Sequence, residues 1–152
     1  MLQIQGFVFN FASENTYIIY NDNKNAWLID PGNMNAQETQ AIDNFIAEKG
    51  LKIRKILLTH AHIDHSGYLP CLVKQGFRNK IFCSHASVEL CKVLLMDAAK
   101  LQQEDAEYSD KTKHSKHFPA EPLYTTEDVV ETLRLLHGCD YNQWIKLSEF
   151  IS

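Results

Sequence analysis

The chain has 152 residues, of which 45% are hydrophobic, and its 15 basic and 19 acidic side chains give a formal net charge of −4. This length favours one domain over residues 1–152, and the ordinary composition excludes a disordered or collagen-like chain. The charge gives no overall electrostatic reason to bind nucleic acid. No apolar run approaches the roughly 18 residues of a membrane-spanning helix, and the N-terminus lacks a secretory signal. We therefore expect a cytoplasmic globular protein without a membrane partner.

The first thirty residues predict three short antiparallel strands. Each is a β-branched or aromatic run, and turn-forming residues separate the last two. The third run stops at Asp30-Pro31-Gly32, which leaves a carboxylate at the C-terminal end of a strand. The three runs are Phe7–Phe9, Thr16–Tyr20 and Ala26–Ile29.

From residue 36 onward the hydrophobic pattern alternates between helical and extended periods. Helices are predicted at 36–49, at 68–74, in a longer segment capped by Ser84, and from Thr125 to a last turn that contains His137. Strands are predicted at 52–58, 80–83 and 143–147. Strands that alternate with helices indicate the α/β class, with a mixed sheet.

A dense group of metal-binding residue types follows the central strand. Residues 59–67 read Thr-His-Ala-His-Ile-Asp-His-Ser-Gly. Imidazole nitrogens suit zinc and similar ions, and carboxylate oxygens suit harder metals. His60 and His62 are two residues apart and are able to face one ion together. Asp64 and His65, one turn later, are able to face a second ion about 3.5–4 Å from the first, the spacing of two-metal hydrolases.

Packing alone is a poor explanation for this group. A lone histidine is usually a satisfied core or surface residue, but the four residues just named lie within six positions. Burying that many polar groups without partners would cost about 1–3 kcal/mol each. The sequence therefore predicts metal coordination at 60–65.

The same residues carry a family resemblance. The His-x-His-x-Asp-His run at 60–65, preceded by a strand that ends in Asp30-Pro31-Gly32, resembles the metallo-β-lactamase fold superfamily of metallohydrolases. The resemblance implies an αββα sandwich with its metal site at the sheet edges. Residues 1–152 would form the N-terminal half of that sandwich.

The resemblance also implies a role for each residue of the site. His60 and His62 would bind one zinc ion, and Asp64 and His65 a second, giving two ions in a complete site. Asp64 is then the expected catalytic residue as well as a ligand. Asp30 would support the ligands from behind, which fits the usual orientation of metal-binding imidazoles by a carboxylate.

Two branches of the superfamily are represented. Residues 15–32 resemble the glyoxalase-II-like hydrolases, which cleave thioesters. Segments 66–70, 103–108 and 123–125 resemble the β-CASP RNA-processing branch, whose members are nucleases. RNA phosphodiester is the favoured substrate, cleaved by a metal-activated water, and a thioester is the alternative.

Ligands that both branches add later in the chain have no counterpart here. The branches add a third histidine, an aspartate that bridges the metals, and a final histidine. His85, which follows a predicted strand, is one candidate substitute, although a residue in the first turn of a helix is normally polar for other reasons. We therefore expect reduced zinc occupancy and a truncated chain. The alternative to an active enzyme is a catalytically incompetent fragment or interaction module.

Half a sandwich predicts one further property. A sheet without its partner sheet leaves an apolar face uncovered. The sequence thus predicts that this face is buried by self-association, as a homo-oligomer, or by a partner chain.

Overall fold

The computed structural model describes residues 1–112 and 120–146. Within these ranges the strands form a single six-stranded sheet in chain order, β1-β2-β3-β4-β5-β6. The strands are β1 Leu2–Phe9, β2 Glu14–Asn21, β3 Asn25–Ile29, β4 Lys52–Leu57, β5 Ile81–Ser84 and β6 Leu136–Cys139. The helices are α1 Ala36–Lys49, α2 Ile63–Ser66, α3 Leu69–Lys74, α4 His85–Thr112 and α5 Thr126–Leu135.

The sheet is mixed, as the sequence predicts. The first three strands form the predicted antiparallel meander. β3, β4, β5 and β6 then run parallel to one another. Because parallel strands end at the same edge of a sheet, the residues after β3 and β4 are brought together there. Asp30 and His60 both follow such strand ends.

Local signals set the bounds of α1 as predicted. The Asn35 side chain caps the helix by accepting a hydrogen bond from the backbone N–H of Glu38. Gly50 ends it with φ 65°, in the left-handed region where glycine is favoured. In the chain the helix follows β3 and precedes β4, and it forms the crossover that two parallel neighbouring strands require.

The long helix α4 also begins where the sequence predicts. The Ser84 hydroxyl accepts a hydrogen bond of 3.1 Å from the backbone N–H of Ser87. Its buried residues recur every four positions, so only one side of the helix packs on the protein. They are Ser87, Cys91, Leu95 and Ala99. None of the helices in the described ranges has both the length and the apolar character needed to cross a membrane.

One face of the sheet forms the core with the helices. Alternate residues of the central strands point to this face and are wholly buried. They join apolar residues of α1, α3, α4 and α5 in one hydrophobic cluster. Its members include Ile18, Leu28, Ile56 and Ile81 from strands and Ile42, Leu69, Leu95 and Val129 from helices.

The other face is a row of apolar side chains outside that cluster. Tyr17, Ile29, Leu57 and Phe82 are successive register partners across four strands. Tyr17 is 40% exposed, and Val8 on β1 is 67% exposed. The described residues thus leave this apolar face partly open, in line with the uncovered face that the sequence predicts. Self-association through it stays a prediction.

The C-terminal elements differ from the sequence prediction. α5 ends at Leu135, and His137 lies in β6 rather than in the last turn of a helix. Residues 136–139 form a strand instead of a helical turn because they pair with β5 along its whole length, a contact with a distant part of the chain. Residues 143–146 form no strand, Trp144 among them is 89% exposed, and Leu147 lies outside the described residues.

Substitutions on α4 test the packing of this helix on the hydrophobic core. Leu95 is fully buried and Leu90, on the same helix, is 55% exposed. Leu95→Ala should lower the free energy of unfolding by about 2–5 kcal/mol, because it removes packed methyl groups and leaves a cavity. Leu90→Ala, the matched control, should change it by no more than about 0.5 kcal/mol. Urea denaturation measures both, and equal losses would contradict the packing of α4 on the sheet.

Candidate metal centre

The predicted metal-binding run lies at the C-terminal edge of the sheet. The chain leaves β4, passes through Thr59 and His60, and enters the single-turn helix α2. The Ser66 hydroxyl closes this turn through the carbonyl oxygens of Ala61 and His62, at 3.0 and 3.1 Å. The turn brings all four predicted ligands to one side of the strand end.

Asp30 is fixed next to this turn. It is 4% exposed and has φ 47°, a left-handed conformation that costs most residues roughly 1–2 kcal/mol and that aspartate tolerates better. One carboxylate oxygen accepts from the Thr59 backbone N–H at 2.7 Å, and the other accepts from the Thr59 hydroxyl at 2.6 Å. The carboxylate therefore ties the end of β3 to the end of β4.

These hydrogen bonds determine the protonation of His60. The Thr59 hydroxyl has one proton, which it donates to Asp30, yet it also lies 2.9 Å from Nδ1 of His60. Nδ1 must then be the donor, which leaves the lone pair on Nε2, the nitrogen that lies 3.2 Å from Nδ1 of His62. Burial lowers the pKa of His60, and the neighbouring His65 and His62 lower it further. The charges of Asp30 and Asp64 oppose this shift, and the lowered pKa favours the neutral imidazole, the form in which histidine binds metals.

His65 lies between carboxyl groups on both sides of its ring. Nδ1 is 3.4 Å from Oδ2 of Asp30 and 3.4 Å from Oε1 of Glu14. Nε2 is 3.5 Å from Oδ2 of Asp64. The rings of His60 and His65 pack with centroids 4.1 Å apart. The site is therefore a compact group of imidazoles and carboxyls.

Glu14 belongs to this group although the sequence prediction did not include it. Its side chain is completely buried, and Thr16 Oγ1 lies 3.0 Å from its Oε2. Burial raises the pKa of Glu14 to about 7; the charges of Asp30, Asp64 and Glu38 also raise it, and the Thr16 hydrogen bond opposes them. A signal was present, because Glu14 and Thr16 are polar residues in phase with the buried Ile18 on the core-facing side of β2.

Three of these residues fit a metal ion. Asp30, His60 and His65 each place one possible ligand atom within 4.8 Å of the other two. Among the described residues, these three form a group that is able to hold a metal ion. Nitrogen and carboxylate donors suit zinc and iron. The group includes Asp30, which was expected behind the ligands. The predicted ligand pairs are also close, at 3.2 Å for His60 Nε2 to His62 Nδ1 and 3.5 Å for His65 Nε2 to Asp64 Oδ2.

His85 is not one of the residues whose ligand atoms lie within 4.8 Å of one another in the described part of the chain. Its Nε2 is 3.4 Å from Oδ1 of Asp140, and both side chains are 65% exposed. The ring sits against Gly138, where an added Cβ would overlap it. His85 is the first residue of α4 and packs beside the end of β6, in keeping with its interpretation as a first-turn residue of a helix.

Comparison with known proteins places these features in a family. Residues 10–139 match the family model described as the metallo-beta-lactamase superfamily. The structure of TTHA1623 in a di-iron-bound form is similar over 64% of this chain and 46% of that one, with 26% sequence identity and a TM-score of 0.50. These matches confirm the predicted superfamily and fold class.

Curated relatives include RNA-processing proteins, as the sequence predicts. Ribonuclease TTHA0252 of Thermus thermophilus is 33% identical over 63% of this chain, and endoribonuclease ysh1 of Aspergillus fumigatus is 31% identical over 76% of it. Transcription termination factor FttA of Methanocaldococcus jannaschii is 30% identical over 75%. The matched region is 18%, 12% and 19% of these relatives, so the chain spans a fifth of their length or less.

Substitution of Asp30 tests the link between the strand ends. Asp30→Asn keeps the size and tolerates the left-handed backbone, but its amide group is unable to accept from both Thr59 donors. We expect a loss of about 1–3 kcal/mol in the free energy of unfolding, as for a buried donor left unpaired. Asp43→Asn, an exposed position on α1, is the matched control and should have little effect. If urea denaturation gave the two variants equal stability, the Asp30 link would contribute nothing.

Proposed function

This chain belongs to the metallo-β-lactamase superfamily, and from that premise we propose that it is a zinc-dependent hydrolase acting on RNA phosphodiester bonds. One observation carries the proposal: the His60–His65 group lies in the part of the chain that is similar to named ribonucleases. An alignment over 76% of the chain, as with endoribonuclease ysh1, necessarily includes its middle and hence residues 60–65. The metal site and the nuclease similarity therefore coincide.

The proposed ligands are those of the sequence prediction. His60 and His62 would hold one zinc ion, and Asp64 and His65 would hold another. When bound, such ions activate a water molecule for attack and offset the negative charge that develops on the phosphate. The short distances within each pair, and the lowered pKa of His60, support this assignment.

The chain's own residues prepare the site in two ways. Asp30 and Thr59 keep Nδ1 of His60 protonated, so that Nε2 remains available. His62 is exposed and the Asp64 side chain is 26% exposed, so substrate reaches the site from this side. We propose Asp64 as the catalytic carboxylate because it joins the ligands while remaining open to substrate.

Thioester hydrolysis is the second candidate. It rests on residues 15–32, whose pattern resembles the glyoxalase-II-like hydrolases and which include Asp30 in the site itself. The two candidates share the metal group and differ in the leaving group, a ribose oxygen or a thiolate. One assay pair therefore separates them.

The test compares labelled single-stranded RNA and S-lactoylglutathione as substrates of the zinc-loaded chain. We expect RNA cleavage that EDTA abolishes. His60→Ala combined with His62→Ala should slow it roughly 100-fold or more, since a catalytic metal contributes several kcal/mol of transition-state stabilisation. His137→Ala removes a histidine on β6, whose ring packs on Phe82, and should cleave RNA like the unmodified chain.

Other outcomes reject the proposal in different ways. Cleavage of the thioester but not of RNA would favour the second candidate. Zinc binding without turnover of either substrate would favour an interaction module. RNA cleavage that survives the double histidine substitution would show that the activity arises elsewhere.

A further inference from the structure

The space that Glu14 occupies depends on a glycine. Glu14 is the first residue of β2, and its carboxyl group reaches across to the loop after β3. A Cβ added at Gly32 would overlap Oε2 of Glu14 and the backbone carbonyl oxygen of Asp64. Gly32 therefore leaves room for a buried carboxyl directly behind the predicted metal ligands.

Two buried polar atoms in this space have no hydrogen-bond partner among the residues that the structure describes, and they face each other. They are Oε1 of Glu14 and Nδ1 of His65, and 3.4 Å separates them. A buried polar atom left unpaired costs about 1–3 kcal/mol. A small shift of either side chain would pair them, and hydrogen bonds in metal-free or substrate-free sites are often long in this way.

The direction of this hydrogen bond follows from the atoms involved. Oε2 of Glu14 faces the Thr16 hydroxyl at 3.0 Å. Oε1 is an acceptor when Glu14 is ionised. It is also an acceptor when the carboxyl proton lies on Oε2 facing Thr16, whose own hydroxyl proton goes to the Asp30 carbonyl oxygen at 2.7 Å. Nδ1 of His65 must then be the donor, which leaves the lone pair on Nε2. Nε2 is the nitrogen that faces Asp64.

We propose that Glu14 is a positioning residue: its buried Oε1 accepts a hydrogen bond from Nδ1 of His65 and so presents Nε2 of His65 to a metal ion beside Asp64. Asp30 Oδ2, at 3.4 Å from the same Nδ1, assists it. The role matches the general rule that a ligating imidazole is oriented through its other nitrogen. The inference rests on the proposed metal site but does not depend on the substrate.

The test uses two variants that differ only in the acceptor. Glu14→Met keeps the length of the side chain and removes the acceptor, whereas Glu14→Gln keeps an oxygen that is able to face Nδ1. We expect Glu14→Met to weaken zinc binding about 10-fold, the lower end of the effect of such residues because Asp30 remains. Glu14→Gln should restore binding to within about 3-fold of the unmodified chain, since it restores the hydrogen bond. Competition with a chromophoric chelator measures the affinity.

Nitrogen NMR of the metal-free protein gives a second readout. At about pH 8, where an ordinary histidine is neutral, His65 should carry its proton on Nδ1 in the unmodified chain and in Glu14→Gln. In Glu14→Met the Nε2-protonated form should become populated. Glu38→Met is the matched control, because the hydrogen bonds of Glu38 within the described residues run to Asn10, Met34 and Asn35 and none reaches His65. It should lower stability without changing the protonation of His65.

The outcomes separate this inference from the proposed function. If Glu14→Met matches the unmodified chain in zinc affinity and in the NMR signature, or if Glu14→Gln is as impaired as Glu14→Met, the inference is wrong. If RNA is not cleaved but Glu14→Met still shifts the His65 proton, the proposed function fails and the positioning role stands.

Discussion

The Asp30 carboxylate is the constraint on which the candidate metal centre depends. It is buried at the end of β3, and both of its oxygens accept hydrogen bonds from Thr59 at the end of β4. Through the Thr59 hydroxyl it determines which nitrogen of His60 is protonated, and it also lies 3.4 Å from Nδ1 of His65. One carboxylate thus lies beside two histidines, held to His60 through Thr59 and close to Nδ1 of His65 without a hydrogen bond. The parallel pairing of β3 with β4, including the 3.0 Å hydrogen bond from Asp30 N to Leu57 O, sets its position.

The fold could be predicted from the sequence where local signals decide it. The caps at Asn35 and Gly50 define α1, and the meander follows from alternating strands and turns. The prediction failed at residues 136–139, which continue the helical pattern of α5 but pair with β5 instead. Pairing with a distant strand has no signal within the segment itself, so local periodicity favoured the wrong element.

The clustering of the histidines and Asp64 at 60–65 could also be predicted, because these residues are adjacent in the chain; that they bind metal stays a prediction. Of its supporting residues, Asp30 was predicted from the resemblance, whereas Glu14 and Thr59 were not, because they meet the histidines only in the folded protein. Glu14 comes from β2 and Thr59 follows β4, and their contacts with the histidines depend on strand register. The role of Gly32 could not be predicted either, because it depends on the Glu14 carboxyl group, which fills the space that a Cβ at Gly32 would occupy. The apolar face opposite the helices, by contrast, follows from the resemblance to a two-sheet sandwich.

The most direct test of this account is a crystal structure of the zinc-loaded protein at a resolution that shows the ligand atoms. The account predicts that one zinc ion contacts Nε2 of His60 and a second contacts Nε2 of His65. Nδ1 of His60 should then contact Thr59, and Nδ1 of His65 should contact the carboxyl groups of Asp30 and Glu14. Zinc bound to Nδ1 of either histidine, or zinc bound away from residues 60–65, would contradict it.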